Sequence, residues 1–281
     1  MESNTGFSLI SISKDNLFED KFRESPFANR KVIFAIYVAW FSIAEVLAVL
    51  DPLAGFIAHS ISLPVIGLHV SICHRIDQDS SKLALSLIPI PLVRIVSISS
   101  PVIQFTILQW FLVISMVLFS SILLCMALIG DKMSDYGFKM PERRHYPLEM
   151  LIILSGFLFG FIEYQILTPT SMVESLTIVG LIAPLIALYL GTGLLEELLF
   201  RGVIQRHSIN SLGKWQGIIF TNLIFMILHT GWESGSDLIF VGVVGVIFSI
   251  VVVKTGSIIG VSFSHAATNL SLFVLTPELI S

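Results

Sequence analysis

The chain reads as an all-α protein, a polytopic transmembrane helical bundle of about eight to ten helices, and three observations carry that reading. Of its 281 residues, 54% are hydrophobic and only 13% charged. Its mean hydropathy of +0.88 lies far above what a soluble domain of this length needs to fill a core. The apolar residues also fall in long runs, with the charges gathered between them, as a hydrocarbon layer demands.

Taken in order, residues 1–31 form a polar segment of mixed charge (Lys14, Asp15, Glu19, Asp20, Lys21, Arg23, Glu24). It has no early hydrophobic stretch, so no cleavable signal peptide is expected and the first membrane helix serves as the insertion signal. Helices are expected near 32–50, 53–73, 83–100 and 102–130, a set of N-terminal membrane helices that carries no recognisable motif. The third contains Pro89, Pro91 and Arg94, which predicts a kinked or interfacial segment. Residues 131–147 form a charged loop, in which Arg143, Arg144 and His145 read as an interfacial anchor. The remaining helices are expected near 148–168, 175–190, 194–209, 216–230, 238–253 and 257–275, within a core spanning 148–275.

If all ten segments cross, the N-terminal segment, Arg75, Lys82 and the 131–147 loop share one side, while Arg206, Lys214 and Lys254 lie opposite. The positive-inside rule then makes the N-terminal segment and the 131–147 loop cytoplasmic. The net charge of −4 is spread over terminus and loops without a basic cluster, which argues against a nucleic-acid partner. Cys73 and Cys125 lie in apolar stretches without the neighbours a metal or haem motif needs, and read as packing residues. His69 and His74 are five apart and share no helix face well.

Against this background three polar clusters stand out. They are Glu196, Glu197 and Arg201, then His229, then His265 and Asn269. Burying such groups in a bilayer costs several kcal/mol unless they satisfy one another, which makes them a functional site by default. The Gly191-Thr192-Gly193 run is expected to break the helix, with Thr192 as N-cap of the next one, placing both glutamates near its first turn. Glu197 and Arg201 are four apart and can pair. Glu196 points about 100° away and stays free. A short turn after Asn210 returns His229 to the level of Glu196, and His265 and Asn269 share a face at i and i+4. A carboxylate, two imidazoles and an amide in one shielded pocket suit amide hydrolysis by activated water. The carboxylate takes the proton, one imidazole orients the water, and the other imidazole and the carboxamide hold the oxyanion. On this reading Glu196 is the base, His229 orients the water, His265 and Asn269 form the oxyanion hole, and Glu197 with Arg201 is a brace.

Glu196-Glu197-x3-Arg201, Phe225-x3-His229 and His265-x3-Asn269, in that order on helices, resemble the three motifs of the CPBP family of CAAX proteases and bacteriocin-processing enzymes. This family includes the Ras-converting CAAX prenyl endopeptidase and bacterial Abi-type proteins. Residues 136–141 also look like the segment that precedes this core in prokaryotic members. The resemblance implies a multi-pass intramembrane glutamate endopeptidase in a cell membrane, and the charge asymmetry under ten crossings predicts that its active site opens to the cytoplasm. Glu196, His229, His265 and Asn269 carry over as catalytic and Glu197 and Arg201 as supporting residues, with no metal and no cofactor. Its partners would be the lipid bilayer and a hydrophobic or prenylated CAAX-type peptide or protein cut near its C-terminus. The chain departs from the family in its proline, which lies at Pro184 rather than shortly before the glutamates.

Each piece alone has a plainer reading. Glu197 with Arg201 is also an ordinary intrahelical pair, His229 a helix-end imidazole, and His265 with Asn269 interhelical polar glue among small residues. Their joint occurrence favours catalysis. Two alternatives stand beside it. One is a zinc metalloprotease using Glu196, His229 and His265, although no His-Glu-x-x-His run exists. The other is a non-catalytic membrane binding protein or chaperone. Within the protease reading, bacteriocin or other peptide maturation competes with CAAX processing. Glu45 and Glu163, alone in apolar helices, read as packing or headgroup contacts.

Overall fold

The computed structural model describes residues 29–100, 105, 107–173 and 176–280. Most of the polar N-terminal segment, with Lys14, Lys21 and Arg23, lies outside the described residues. Those described contain helices and turns and no strand.

Helix α1 (Arg30–Leu50) starts at Asn29, whose side chain accepts from the Lys31 amide. Asp51 ends it and caps α2 (Pro52–Ile76) by accepting from the Leu53 and Ala54 amides, with Pro52 in the first turn. This is where a missing N–H costs nothing. Asp77 in turn caps α3 (Gln78–Ser86). The Leu87–Ile88 step and Pro89 lead into α4 (Pro89–Ser99). The expected kink in this region is therefore present, yet residues 78–99 together are long and apolar enough to span. Helices α5 (Ile107–Ile129) and α6 (Tyr146–Leu167) follow.

The break expected at Gly191-Thr192-Gly193 does not occur. Ile178–Ile186, the π-type stretch Ala187–Leu194, Leu195–Glu197, a second π stretch Leu198–Ile204 and Gln205–Leu212 run on as one helix, α7. The Thr192 hydroxyl donates back to the Leu188 carbonyl at 2.6 Å instead of capping anything. The two glycines provide clearance rather than a break. A Cβ on Gly193 would lie 2.6 Å from the Ser262 carbonyl oxygen and 2.9 Å from Ala266 Cβ, and one on Gly191 would collide with the Ser115 hydroxyl. The glutamates accordingly sit in mid-helix, far from any dipole end. Short α8 (Lys214–Ile227) and full-length α9 (Gly235–Thr255) come next. Last is α10, which begins as Ile259–Leu270 and continues through a π stretch to Ile280.

Among the described residues eight helices are long and apolar enough to cross a membrane: α1, α2, α3 with α4, α5, α6, α7, α9 and α10. With 14 residues, α8 reaches only about 21 Å at the usual 1.5 Å rise, and the turn through 228–234 completes its passage to the end where α9 begins. The ten-crossing tally of charges therefore fails, because 175–190 and 194–209 are one helix. Arg206 meets Asp131 at 3.3 Å, Lys82 meets the same carboxylate at 3.1 Å, and Arg30 reaches the Ser211 carbonyl at 3.1 Å. Arg206, Lys214 and Lys254 thus join Arg30, Lys82 and the 131–147 loop at one end of the bundle. The opposite-end loops at Asp51, 168–177 and 230–234 carry no lysine or arginine.

Close packing holds α10 in place. Gly156 and Gly160, one turn apart on α6, face the Ser264 and Thr268 carbonyls of α10, and a Cβ on either would collide with them. Small residues at such spacing let membrane helices approach backbone to backbone. Together with Gly193 on α7 they clamp α10, and so fix the height of His265 and Asn269. The segment expected to precede the core also anchors it. Gly137, at φ 77°, offers its carbonyl to the Ile258 amide at 2.9 Å, and the Tyr136 carbonyl lies over Gly202 of α7.

Candidate active site

Mid-membrane, α7 turns Glu197 inward and Glu196 toward a cavity. Glu197 is fully buried and its Oε1 accepts from Arg201 Nη1 at 2.9 Å, the i,i+4 pair expected from the spacing. The Arg201 guanidinium is itself buried and lies over the Phe225 ring at 4.2 Å, a geometry in which the ring face stabilises the cation. Gly245 on α9 leaves the room it needs, since a Cβ there would fall 3.0 Å from Arg201 Nη2.

The same Glu197 oxygen also accepts from His265 Nδ1 at 2.8 Å. Because a carboxylate can only accept, Nδ1 carries the hydrogen and Nε2 is turned to the cavity. Nε2 lies 3.9 Å from Glu196 Oε2. His229 is fixed in the same way. Its Nδ1 donates to the Phe225 carbonyl at 2.9 Å, one turn back, so the neutral ring has a free Nε2 lone pair. Asn269 donates from Nδ2 to the Thr192 hydroxyl at 2.8 Å, leaving its second N–H and its carbonyl oxygen available.

Glu196, His229, His265 and Asn269 all line one cavity of about 460 Å³. Glu197 and Arg201 stand behind it, 0% and 2% exposed. The structure therefore brings the four together and leaves Glu196, whose side chain is 27% exposed, without a hydrogen-bond partner among the described residues. No group of three or more His, Cys, Asp or Glu side chains among them is disposed to hold a metal ion.

Sequence reasoning missed two contributions. Glu163 on α6 lines the same cavity. Its signal was available, since an ionisable residue in a membrane helix turns toward the interior. The other comes from the motif-free half. Pro89, Val93 and Arg94 of α4 and Trp110, Phe111 and Ser115 of α5 form the facing wall. Glu45, read as lacking a partner, has two. Arg94 grips it with Nε at 2.7 Å and with Nη2, while His59 Nε2 stands 3.0 Å from its Oε1.

Fold and site define a multi-pass helical membrane protein with a buried glutamate, histidine and asparagine constellation. Residues 178–271 match the family of type II CAAX prenyl endopeptidase Rce1-like proteins. The match covers a third of the chain, from α7 into α10, and it is this core that is similar to the CAAX proteases. No curated protein and no solved structure matches the chain.

Proposed function

We propose that the protein is an intramembrane endopeptidase that hydrolyses a peptide bond near the C-terminus of a hydrophobic or prenylated, CAAX-type substrate. Water activated by Glu196 is the nucleophile. The observation that carries the reading is the convergence of Glu196 and two tautomer-fixed imidazoles on one mostly apolar cavity. Glu196 takes a proton from water as its oxygen attacks the scissile carbonyl, and the His229 Nε2 lone pair orients that water. The carbonyl oxygen becomes the oxyanion, held by the free N–H of Asn269 and by an Nε2–H of His265 in its imidazolium form. Collapse breaks the C–N bond, and the proton on Glu196 passes to the leaving amine. Glu197 and Arg201 keep His265 in register.

Cleavage of a quenched, farnesylated CAAX peptide by the purified protein in lipid tests this, comparing wild type with Glu196→Gln, each with and without a strong chelator. Chelator-resistant cleavage lost in the variant is expected. Loss on chelation would replace the water-activating glutamate with a zinc mechanism. No cleavage of this or other hydrophobic peptides would leave a binding protein.

A second substrate class is favoured by charge placement. The described basic loops all lie at one end of the bundle, which the positive-inside rule assigns to the cytoplasm. The cavity's outer lining, Ser97, Trp110, Gly231 and Trp232, belongs to the helix ends opposite. The cytoplasmic opening expected earlier rested on ten crossings, and with α7 as one helix the same rule favours an extracytoplasmic one. Maturation of an exported peptide, such as a bacteriocin, suits that opening better than a cytosolic prenylated protein. An impermeant maleimide on intact cells should label Glu233→Cys and spare Lys132→Cys, with the native cysteines silent because both are buried. The reverse pattern would restore the cytoplasmic opening.

A further inference from the structure

Three ionisable side chains from separate helices of the motif-free half meet beside the cavity. Glu45 of α1 and His59 of α2 are both fully buried. Arg94 of α4 lines the cavity with 18% of its side chain exposed. Charges this deep in a membrane protein are costly and mark function more often than architecture.

The geometry of the pair is specific. A guanidinium has five N–H groups, arranged so that it can take two carboxylates on different edges. Glu45 occupies the edge formed by Nε and Nη2. The end edge, Nη1 with the second hydrogen of Nη2, has no protein acceptor among the described residues. The guanidinium lies at the cavity lining beside Gly231, two residues past His229, where a Cβ would stand 4.0 Å from Nη2. Glu45, backed by His59, whose ring stacks on Phe41, holds the guanidinium in one orientation. Apart from the histidines, the other ionisable residues lining the cavity are the acidic Glu163 and Glu196. Arg94 is therefore the fixed positive charge of the cavity among the described residues, set toward its mouth from Glu196.

We infer that the free edge of Arg94 binds the C-terminal carboxylate of the substrate peptide, and so sets how far from the chain end the bond presented to Glu196 lies. The inference rests on the proposed peptidase reading for what the carboxylate belongs to. It gives the motif-free half a substrate-binding role in addition to its structural one.

The test measures binding, so that it does not depend on turnover. A fluorescent farnesylated CAAX peptide with a free C-terminal acid, and its C-terminal carboxamide twin, are titrated onto Glu196→Gln protein in phosphatidylcholine nanodiscs. The same pair is then titrated onto Glu196→Gln combined with Arg94→Gln or with Arg94→Lys. With Arg94 present the acid should bind about tenfold or more tighter than the amide, as expected for a charge-assisted bidentate contact. Arg94→Gln should erase that difference. Arg94→Lys, which can keep the ion pair with Glu45 and hence the fold but has no second planar edge, should retain at most a small part of it. Equal binding of acid and amide to the Arg94 protein, a difference that survives Arg94→Gln, or no binding of either peptide would each overturn the inference. So would an Arg94-dependent preference for phosphatidylglycerol nanodiscs without an acid–amide difference, which would assign the edge to a lipid phosphate. Wild-type cleavage of the acid peptide, read in parallel, reports separately on the peptidase proposal.

Discussion

The two halves of this bundle each bury a glutamate against an arginine and a histidine, and only one half announces it in sequence. In the core, Glu197 and Arg201 sit four apart on α7, with His265 on α10 as third member. In the N-terminal half, Glu45 meets an arginine 49 residues away and a histidine from a third helix. The chemistry of the two clusters is alike and their position differs. The first stands behind Glu196, and the second presents a cation to the cavity. A motif search finds groups that must share one helix face. It passes over groups that only tertiary packing brings together.

The largest expected effect separates Glu196 from its neighbour. Glu196→Gln should lower peptide cleavage by about 10²–10⁴, the usual contribution of a positioned general base. It should leave thermal unfolding in lipid unchanged, because this side chain makes no hydrogen bond among the described residues. Retained cleavage would move the base elsewhere, with Glu163 next in line. Glu197→Ala should lower activity and stability together, by about 3–5 kcal/mol, since it strands the buried charge of Arg201. Glu45→Ala should cost a similar amount by stranding Arg94 and His59. A thermal shift for Glu197→Ala with none for Glu45→Ala would show that the halves are not energetic counterparts.

Gly193→Val tests whether the glycines of α7 serve clearance. A new side chain against the Ser262 carbonyl and Ala266 should cost about 1–3 kcal/mol of overpacking and displace His265, lowering cleavage. A flexible break at this point would instead tolerate valine without loss, and a thermal melt with an activity assay tells the two apart.

The smallest effect lies at the basic end. Asp131 is partly buried, which by itself would raise its pKa. The Lys82 hydrogen bond and the nearby charges of Lys82, His207 and Arg206 outweigh this and hold it below the usual aspartate range. A depressed folded value means that its stabilisation is complete above the unfolded value of about 3.9 and is lost as pH falls through the folded one. Asp131→Asn should therefore cost at most about 1 kcal/mol near neutrality and flatten the loss of stability in acid. An unchanged acid limb in pH-dependent melts would remove Asp131 as a tie between the 131–147 loop, α3 and α7.

Hydropathy and residue spacing determined a good deal by themselves. They set the all-helical membrane class, because only helices satisfy every backbone group of such apolar runs in lipid. They also set the Glu197–Arg201 pair and the shared face of His265 and Asn269, because the helical repeat is fixed by local geometry. Whether Gly191 and Gly193 break a helix or let two helices touch was decided by the tertiary structure, since it depends on Ser115, Ser262 and Ala266 from other segments. Tertiary packing also gave Arg94 and Glu45 to each other, turned Glu163 into the cavity and gathered the basic residues at one end. Each of these depends on which helix lies beside which, and a membrane helix has similarly apolar neighbours on every side until the bundle is assembled.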